Sequence, residues 1–256
     1  MAKERLDVVL AARGLAESRE KAQRLILAGQ VEVEGQMVDK PSHRVDAEAV
    51  CTVKTPPPFV SRGGEKLEAA FAAFPFEVRG RVCIDVGAST GGFTDCMLQH
   101  GATRVYAVDV GKGQLHWKLR QDARVVVMES VNARYLEAAA FEPVPEVAVV
   151  DVAFISLTKV LPAVNTVLAP VAQLVTLIKP QFEAGRREVG KGGVVRDLAV
   201  RARVVEEIRA FGTGQLGLAW GGVVESPLLG PAGNVEFLAF WRKGEKMGSK
   251  TANERE

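Results

Sequence analysis

The sequence predicts an α/β protein, a doubly wound and mostly parallel sheet preceded by a small α+β domain. Three observations predict it. From residue 59 to about residue 242, short apolar runs alternate with amphipathic stretches, the rhythm of successive β-α-β units. One run, Val82 to Ile84, leads straight into a glycine-rich turn, Asp85-Val86-Gly87-Ala88-Ser89-Thr90-Gly91-Gly92-Phe93. The first fifty residues instead hold two short helical patterns and a few short strands, and three consecutive prolines set them off.

Taken in order, Leu6, Val9 and Leu10 followed by Arg13-Gly14 read as a short helix with a glycine stop. Ser18 caps a second helix whose buried face is Ala22, Leu25 and Ile26 and whose end is Gly29. Residues 31–38 alternate around Glu34-Gly35 as a hairpin, and Val45 and residues 50–53 supply further strands. The expected division is a small domain over 1–54, a linker over 55–60, a large domain over 61–243 and a polar tail over 244–256. Pro56-Pro57-Pro58 favours stiff polyproline II in that linker. In the large domain, Ser61-Arg62-Gly63-Gly64 opens a helix with the apolar stripe Leu67, Ala70, Phe71 and Phe74. Strands are expected at 82–86, 104–109, 124–128, 146–151, 172–179, 217–225 and 235–241, with a helix over 94–99.

Composition excludes more than it identifies. The chain has 256 residues, 47% of them hydrophobic and 25% charged, an ordinary globular balance. No secretory h-region and no apolar run of ~18 residues is present, so neither export nor a membrane span is expected. Cys51, Cys83 and Cys96 show no metal-ligand spacing and leave an odd thiol, so no metal and a reduced, cytoplasmic setting are expected. The net charge is +2, and residues 1–58 hold nine Lys/Arg against nine Asp/Glu. Bulk charge therefore makes no case for nucleic acid, and any such case rests on where the charges sit. Monomer and dimer both stay open.

The turn identifies a cofactor class. A dinucleotide site requires G-x-G-x-x-G, because the middle glycine lets the backbone touch a pyrophosphate. Here Ser89 holds that middle position and an acid, Asp85, precedes the glycines. A carboxylate there would repel a diphosphate but suits the sulfonium and ammonium of S-adenosylmethionine. Asp109, closing the next apolar run, stands where such folds place a ribose-binding acid. The expected cofactor site is Asp85, Gly87, Ala88, Ser89, Thr90, Gly91, Gly92, Phe93 and Asp109, with Asn132 after the third strand contacting adenine. Gly111 to Gln114 either lines that pocket or starts the next helix, and His116 and Trp117 are expected to pack.

A second constellation shares this edge of the sheet. Ligands of an open parallel sheet bind outside the carboxyl ends of its strands. Asp151 and Lys179 each close an apolar run there, and Glu236 joins them if the last strand runs antiparallel. Lys66 lies in the first turn of its helix and off the apolar stripe, where a cation opposes the helix dipole. Two lysines and two carboxylates suit methylation of a ribose 2′-hydroxyl. One lysine accepts the proton when a neighbouring cation favours its neutral form, and the carboxylates hold both amines in place. Beyond Lys179, the loop 183–193 carries Arg186, Arg187 and Lys191 as candidate phosphate contacts.

Residues 5–53, with the phrase S-R-E-K-A-Q-R-L-I-L-A-G-Q-V-E-V-E-G, closely resemble the S4 RNA-binding domain. That resemblance implies an RNA-facing surface at Arg19, Lys21, Arg24, Lys40 and Arg44. Residues 1–242 as a whole resemble the haemolysin A (TlyA) family of rRNA 2′-O-methyltransferases, an S4 domain joined to an FtsJ/RrmJ-like domain. The phrases S-R-G-G-E-K-L, D-V-G-A-S-T-G-G-F-T, D-V-A-F-I-S-L, I-K-P-Q-F-E and G-P-A-G-N-V-E-F carry it. It implies a methyltransferase sheet with an antiparallel last strand, S-adenosylmethionine as cofactor, and a catalytic tetrad on Lys66, Asp151, Lys179 and Glu236. It also implies cytidine 2′-O-methylation in large-subunit rRNA. Longer members, which carry an additional carboxyl-terminal segment, also modify small-subunit rRNA, and 16S rRNA is kept as a second candidate substrate behind 23S rRNA. Rival readings fare worse. A pseudouridine synthase needs an acid in a G-R-L-D-type phrase, and Gly80-Arg81-Val82-Cys83 has none. A cytolysin needs a spanning or amphipathic membrane segment, and an RNA-binding module without methyl transfer leaves the tetrad unexplained.

Overall fold

The computed structural model describes residues 3–46, 48–54 and 57–244. It divides into two compact units, Met1–Pro58 and Phe59–Glu256. The linker expected over 55–60 lies outside the described residues at Thr55 and Pro56, and so does the tail beyond Gly244.

The smaller unit runs β1 (Lys3–Arg5), α1 (Leu6–Ala12), α2 (Arg19–Leu27), β2 (Val31–Val33), β3 (Gln36–Met37), β4 (Arg44–Asp46) and β5 (Cys51–Val53). Ser18 caps α2 by accepting a hydrogen bond from the Lys21 backbone N–H at 3.1 Å. β2 and β3 form the hairpin, and both turn residues, Glu34 and Gly35, take positive φ. β5 pairs on the other side of β2, while β4 pairs with β1, a strand the sequence pattern does not reveal. Leu6, Leu10, Ala22, Ile26 and Val31 are fully buried between these elements. So is one acid, Asp7. Arg5 donates to its two oxygens at 3.0 Å each, and Arg19 and Gln23 donate to Oδ2 at 3.0 and 2.7 Å.

The larger unit continues with α3 (Gly63–Ala73), β6 (Val82–Val86), α4 (Gly92–Gln99), β7 (Arg104–Val108), α5 (Trp117–Arg120), β8 (Val125–Met128), β9 (Val147–Val150), α6 (Leu157–Val167), β10 (Ala172–Ile178), α7 (Pro180–Glu183), α8 (Leu198–Leu216), β11 (Ala219–Glu225) and β12 (Phe237–Lys243). The seven strands are ordered β11-β12-β10-β9-β6-β7-β8, and β12 alone opposes the others. The inner strands β6, β7, β9 and β10 are buried on both faces, which is why they read as continuous apolar runs, whereas the edge strand β11 alternates half-buried and exposed residues. On one face Ile84, Val86, Ala148 and Val150 meet Leu157, Leu161 and Val164 of α6 and Val204 and Ile208 of α8. On the other, Cys83, Val105, Val147 and Val149 meet Leu67 and Ala70 of α3 and Phe93, Cys96 and Met97 of α4.

Two features of this topology build a site. The chain leaves β6 toward β7 on one side and returns to β9 on the other, so a crevice opens at the carboxyl end of β6. In the antiparallel β10–β12 pair, Ile178 faces Phe237, which sets Lys179 and Glu236 on the same edge.

Candidate active site

Strand alternation turns Asp85 to the same face as Cys83, toward α4. The side chain is fully buried, and Thr94 Oγ1 donates to its Oδ2 at 2.6 Å. Among the described residues Oδ1 has no hydrogen-bond partner. Burial pushes this carboxyl up to about 7; the Thr94 hydrogen bond opposes the shift and the Asp151 charge adds to it.

The turn above Asp85 depends on two glycines. Gly87 has φ +89°, and a Cβ there would stand 2.3 Å from the Asp151 carbonyl oxygen. The end of β6 thereby closes against the end of β9. Gly91 has φ +98° and caps α4, whose Leu119 neighbour would meet a Cβ at 2.2 Å. Between them Ser89 takes φ +49° and donates its backbone N–H to Asp109 Oδ2 at 2.8 Å. Asp109 Oδ1 accepts from the Gly111 N–H at 2.7 Å, so one carboxylate ties both loops of the crevice.

Two cavities flank this turn and share Gly87, Ser89 and Asp151. One, of about 440 Å³, is bounded by Asp109, Gln114, Val131, Asn132, Phe154 and Ile155. The other, of about 410 Å³, is bounded by Ser61, Lys66, Ala88, Thr90, Gly92 and Phe93. Both fall in the size range of small-molecule sites. Asn132 lines the first and also accepts from the Arg134 N–H at 3.1 Å as a helix cap, so pocket and turn roles coincide. Of residues 111–114, Gln114 lines it too.

Lys66 lines the second cavity and Asp151 lines both, and with Lys179 and Glu236 these charges fall into two pairs. Lys66 Nζ lies 2.6 Å from Glu236 Oε2, and Lys179 Nζ lies 2.5 Å from Asp151 Oδ1. Both lysines are 12% exposed, and Glu236 is 1% exposed. Gln181, two residues past Lys179, donates to Glu236 Oε1 at 3.5 Å and links the pairs. Such pairing holds each ammonium in one orientation while leaving its remaining N–H groups for a substrate oxygen.

Three neighbours escaped the sequence reading. Asn234 is buried and accepts from the Val195 N–H at 3.0 Å while donating to the Gly193 carbonyl at 2.8 Å. It pins the 183–193 loop to the segment that carries Glu236. Gln181 lies inside the phrase I-K-P-Q-F-E, yet only its contact with Glu236 marks it. Phe154 is 91% exposed with φ +62°, its ring 5.1 Å from that of Phe182. Lys179 Nζ sits 5.9 Å over that second ring. An apolar residue so exposed carries no burial signal, and no periodicity points to it.

The remaining expected residues fall within one unit or the other. Arg186, Arg187 and Lys191 are exposed on their loop. In the smaller unit Arg19, Lys21, Arg24, Lys40 and Arg44 are all exposed, and Arg19 also donates to Asp7. Trp117 corrects the packing expectation, being 65% exposed at the start of α5. His116 serves as the cap of α5, its Nδ1 accepting from the Lys118 N–H at 3.2 Å.

The FtsJ-like methyltransferase family model matches residues 59–243, and the S4 domain model matches residues 4–51. This chain belongs to the FtsJ-like methyltransferase family. Among relatives, the 16S/23S rRNA (cytidine-2′-O)-methyltransferase TlyA of Mycobacterium tuberculosis is 48% identical over 240 residues, 93% of this chain and 89% of that one. Hemolysin A of Brachyspira hyodysenteriae is 45% identical over 246 residues, 93% and 99% of the two chains. A solved structure from Streptococcus thermophilus, likewise carrying a hemolysin name, is 46% identical with a TM-score of 0.73 and covers 99% of this chain and 93% of that one. Among the described residues no helix is long and apolar enough to cross a membrane.

As a member of this family the enzyme takes S-adenosylmethionine as its methyl donor. The crevice fits that cofactor. An apolar cavity with an acid at its mouth suits an adenosine, and the unpartnered Oδ1 of Asp85 sits below a turn too crowded at Gly87 for any side chain.

Proposed function

We propose that this enzyme methylates the ribose 2′-hydroxyl of a cytidine in ribosomal RNA, in the cytoplasm, with the 23S RNA of the large subunit as substrate. The observation that carries the proposal is the pair of lysine–carboxylate contacts, Lys66–Glu236 and Lys179–Asp151, in which Lys66 lines one cavity and Asp151 lines both. A ribose hydroxyl is a weak nucleophile until its proton is removed or its developing charge is stabilised. When bound, the cofactor supplies an electrophilic methyl that needs no acid. Lys179, oriented by Asp151, accepts or steers the hydroxyl proton. Lys66, anchored on Glu236, holds the ribose so that its oxygen is aligned for attack. Asp109, Asn132 and the 85–93 turn hold the donor. The S4 domain supplies RNA affinity through Lys21, Arg24, Lys40 and Arg44, with Arg186 and Arg187 as phosphate contacts near the reacting centre.

The test is Lys179→Ala with labelled S-adenosylmethionine and either 50S or 30S subunits. Loss of transfer with retained cofactor binding, read by calorimetry, is expected. Wild-type transfer should fall on 50S subunits and vanish when the target carries a 2′-deoxyribose. Full activity of Lys179→Ala, or transfer to the deoxy target, would overturn the assignment.

A further inference from the structure

Where α3 packs against α4, and lining neither cavity, three side chains of metal-binding type converge, with Glu68 exposed, His100 half-buried and Cys96 fully buried. Glu68 extends from α3, Cys96 stands on α4, and His100, four residues on, caps the carboxyl end of α4. One donor atom from each lies within 4.8 Å of the other two. Cys96 Sγ is 3.6 Å from Glu68 Oε2, and His100 Nε2 is 2.8 Å from the same oxygen. A tetrahedral zinc ion requires about 3.5 Å between a thiolate sulfur and a neighbouring oxygen ligand, and about 3.3 Å between nitrogen and oxygen ligands. The first spacing is already met, and the second needs an opening of about half an ångström. Phe71 stacks on the His100 ring at 3.9 Å and 11°, so the imidazole is oriented before any ion arrives.

We propose that Glu68, Cys96 and His100 form a zinc-class metal site that clamps α3 to α4. The donor set selects the metal: thiolate and imidazole favour zinc or cobalt over magnesium or calcium, whose ligands are all oxygen. A thiolate and a carboxylate together neutralise a divalent charge, and the fourth position falls to water. Binding takes the proton from the Cys96 thiol and releases it to solvent. The clamp has a consequence for the reacting centre, because Glu68 lies two residues past Lys66 while α4 begins at the Gly91-Gly92 turn. An ion there would fix the lysine against the cofactor turn without touching either ligand. Cysteine spacing alone could not reveal the site, since its three ligands come from two helices and a single cysteine.

Metal-stripped, tag-free protein titrated with Co²⁺ tests this. Wild type should take up one equivalent, with a thiolate-to-cobalt charge-transfer band and the visible bands of a tetrahedral site, both removed by Zn²⁺. Glu68→Gln and His100→Gln, at half-exposed positions where folding is safe, should each weaken uptake by at least about tenfold. Zn²⁺ should raise the melting temperature of wild type and leave theirs unmoved. Cofactor affinity measured on the same samples should stay at the wild-type value, showing that the methyltransferase crevice is intact. Cys96→Ser, if it folds, should lose the charge-transfer band. A folded wild type without that band would overturn the proposal, as would a band undiminished in Glu68→Gln and His100→Gln or surviving in Cys96→Ser.

Discussion

Lys66 and Glu236 stand 170 positions apart in the chain and 2.6 Å apart in the fold. Glu236 is almost fully buried, so its charge is held by Lys66 and by the weaker approach of Gln181. Lys66→Ala removes that support and leaves a buried carboxylate behind. It should lower stability by about 3–5 kcal/mol, read by urea unfolding, as well as activity. Glu236→Gln keeps shape and hydrogen bonding but loses the charge that anchors Lys66. It should lower methyl transfer by about 10²- to 10⁴-fold, and stability by less than Lys66→Ala does, because the neutral amide still accepts from the Lys66 ammonium. Wild-type turnover in Glu236→Gln would remove this pair from the reaction.

Asp85 makes the stability of the ligand-free enzyme depend on pH. Burial raises its folded pKa to about 7 from an ordinary 3.8, so the folded state holds the proton more tightly than the unfolded chain. The stability from this group is therefore complete below pH about 4 and is lost as pH rises through about 7. Up to about 4 kcal/mol is at stake across that window. Asp85→Asn should flatten this decline in urea unfolding measured between pH about 4 and 9. A variant with the wild-type slope would mean that Asp85 does not carry it.

Much of this was legible in the sequence, and for identifiable reasons. The inner strands are apolar on both faces, so Val82–Val86 and Ala172–Ile178 stand out as runs, and the charge closing each run marks the ligand edge. Lys66 was found by a local conflict, a cation in a helix's first turn. Pairing was not legible: nothing in the order of residues says that Lys66 selects Glu236 while Lys179 selects Asp151. Residues whose role depends on a three-dimensional neighbour were also hidden. In the sequence Asn234 only precedes the last strand; in the fold its amide bridges Gly193 and Val195. Trp117 looks like core because tryptophan usually is, yet the four-residue α5 turns it to solvent.

Phe154 combines near-complete exposure with a left-handed backbone, an arrangement that costs about 1–3 kcal/mol and that no burial offsets. Its ring stands beside Phe182, over whose ring Lys179 Nζ lies. An aromatic face in that position suits stacking on a base drawn out of its RNA. Phe154→Ala should lower kcat/KM for RNA by about 5- to 150-fold, the value of one stacked base, with no loss in melting temperature. Phe154→Tyr should restore it. Equal kcat/KM in Phe154→Ala and wild type would leave the exposed ring without a part in catalysis.

Asp7 ties the first helix of the S4 domain to the second. The Arg5 guanidinium, backed by Gln23 and Arg19, holds its carboxyl well below the usual carboxylate range despite full burial. A lowered folded pKa stabilises the fold above the unfolded value of about 3.9 and loses that contribution as pH falls toward the folded value. Asp7→Asn removes the charge that three donors share and should destabilise this unit by about 1–3 kcal/mol at neutral pH. It should also blunt the unit's loss of stability in acid, because the group that titrates is gone. Arg19 would swing free of α1 at the same time, so RNA affinity should change with the melting transition. Scanning calorimetry of the full chain at neutral and acid pH separates the cases. An N-terminal transition identical to wild type at both would mean that the buried charge contributes nothing to this domain.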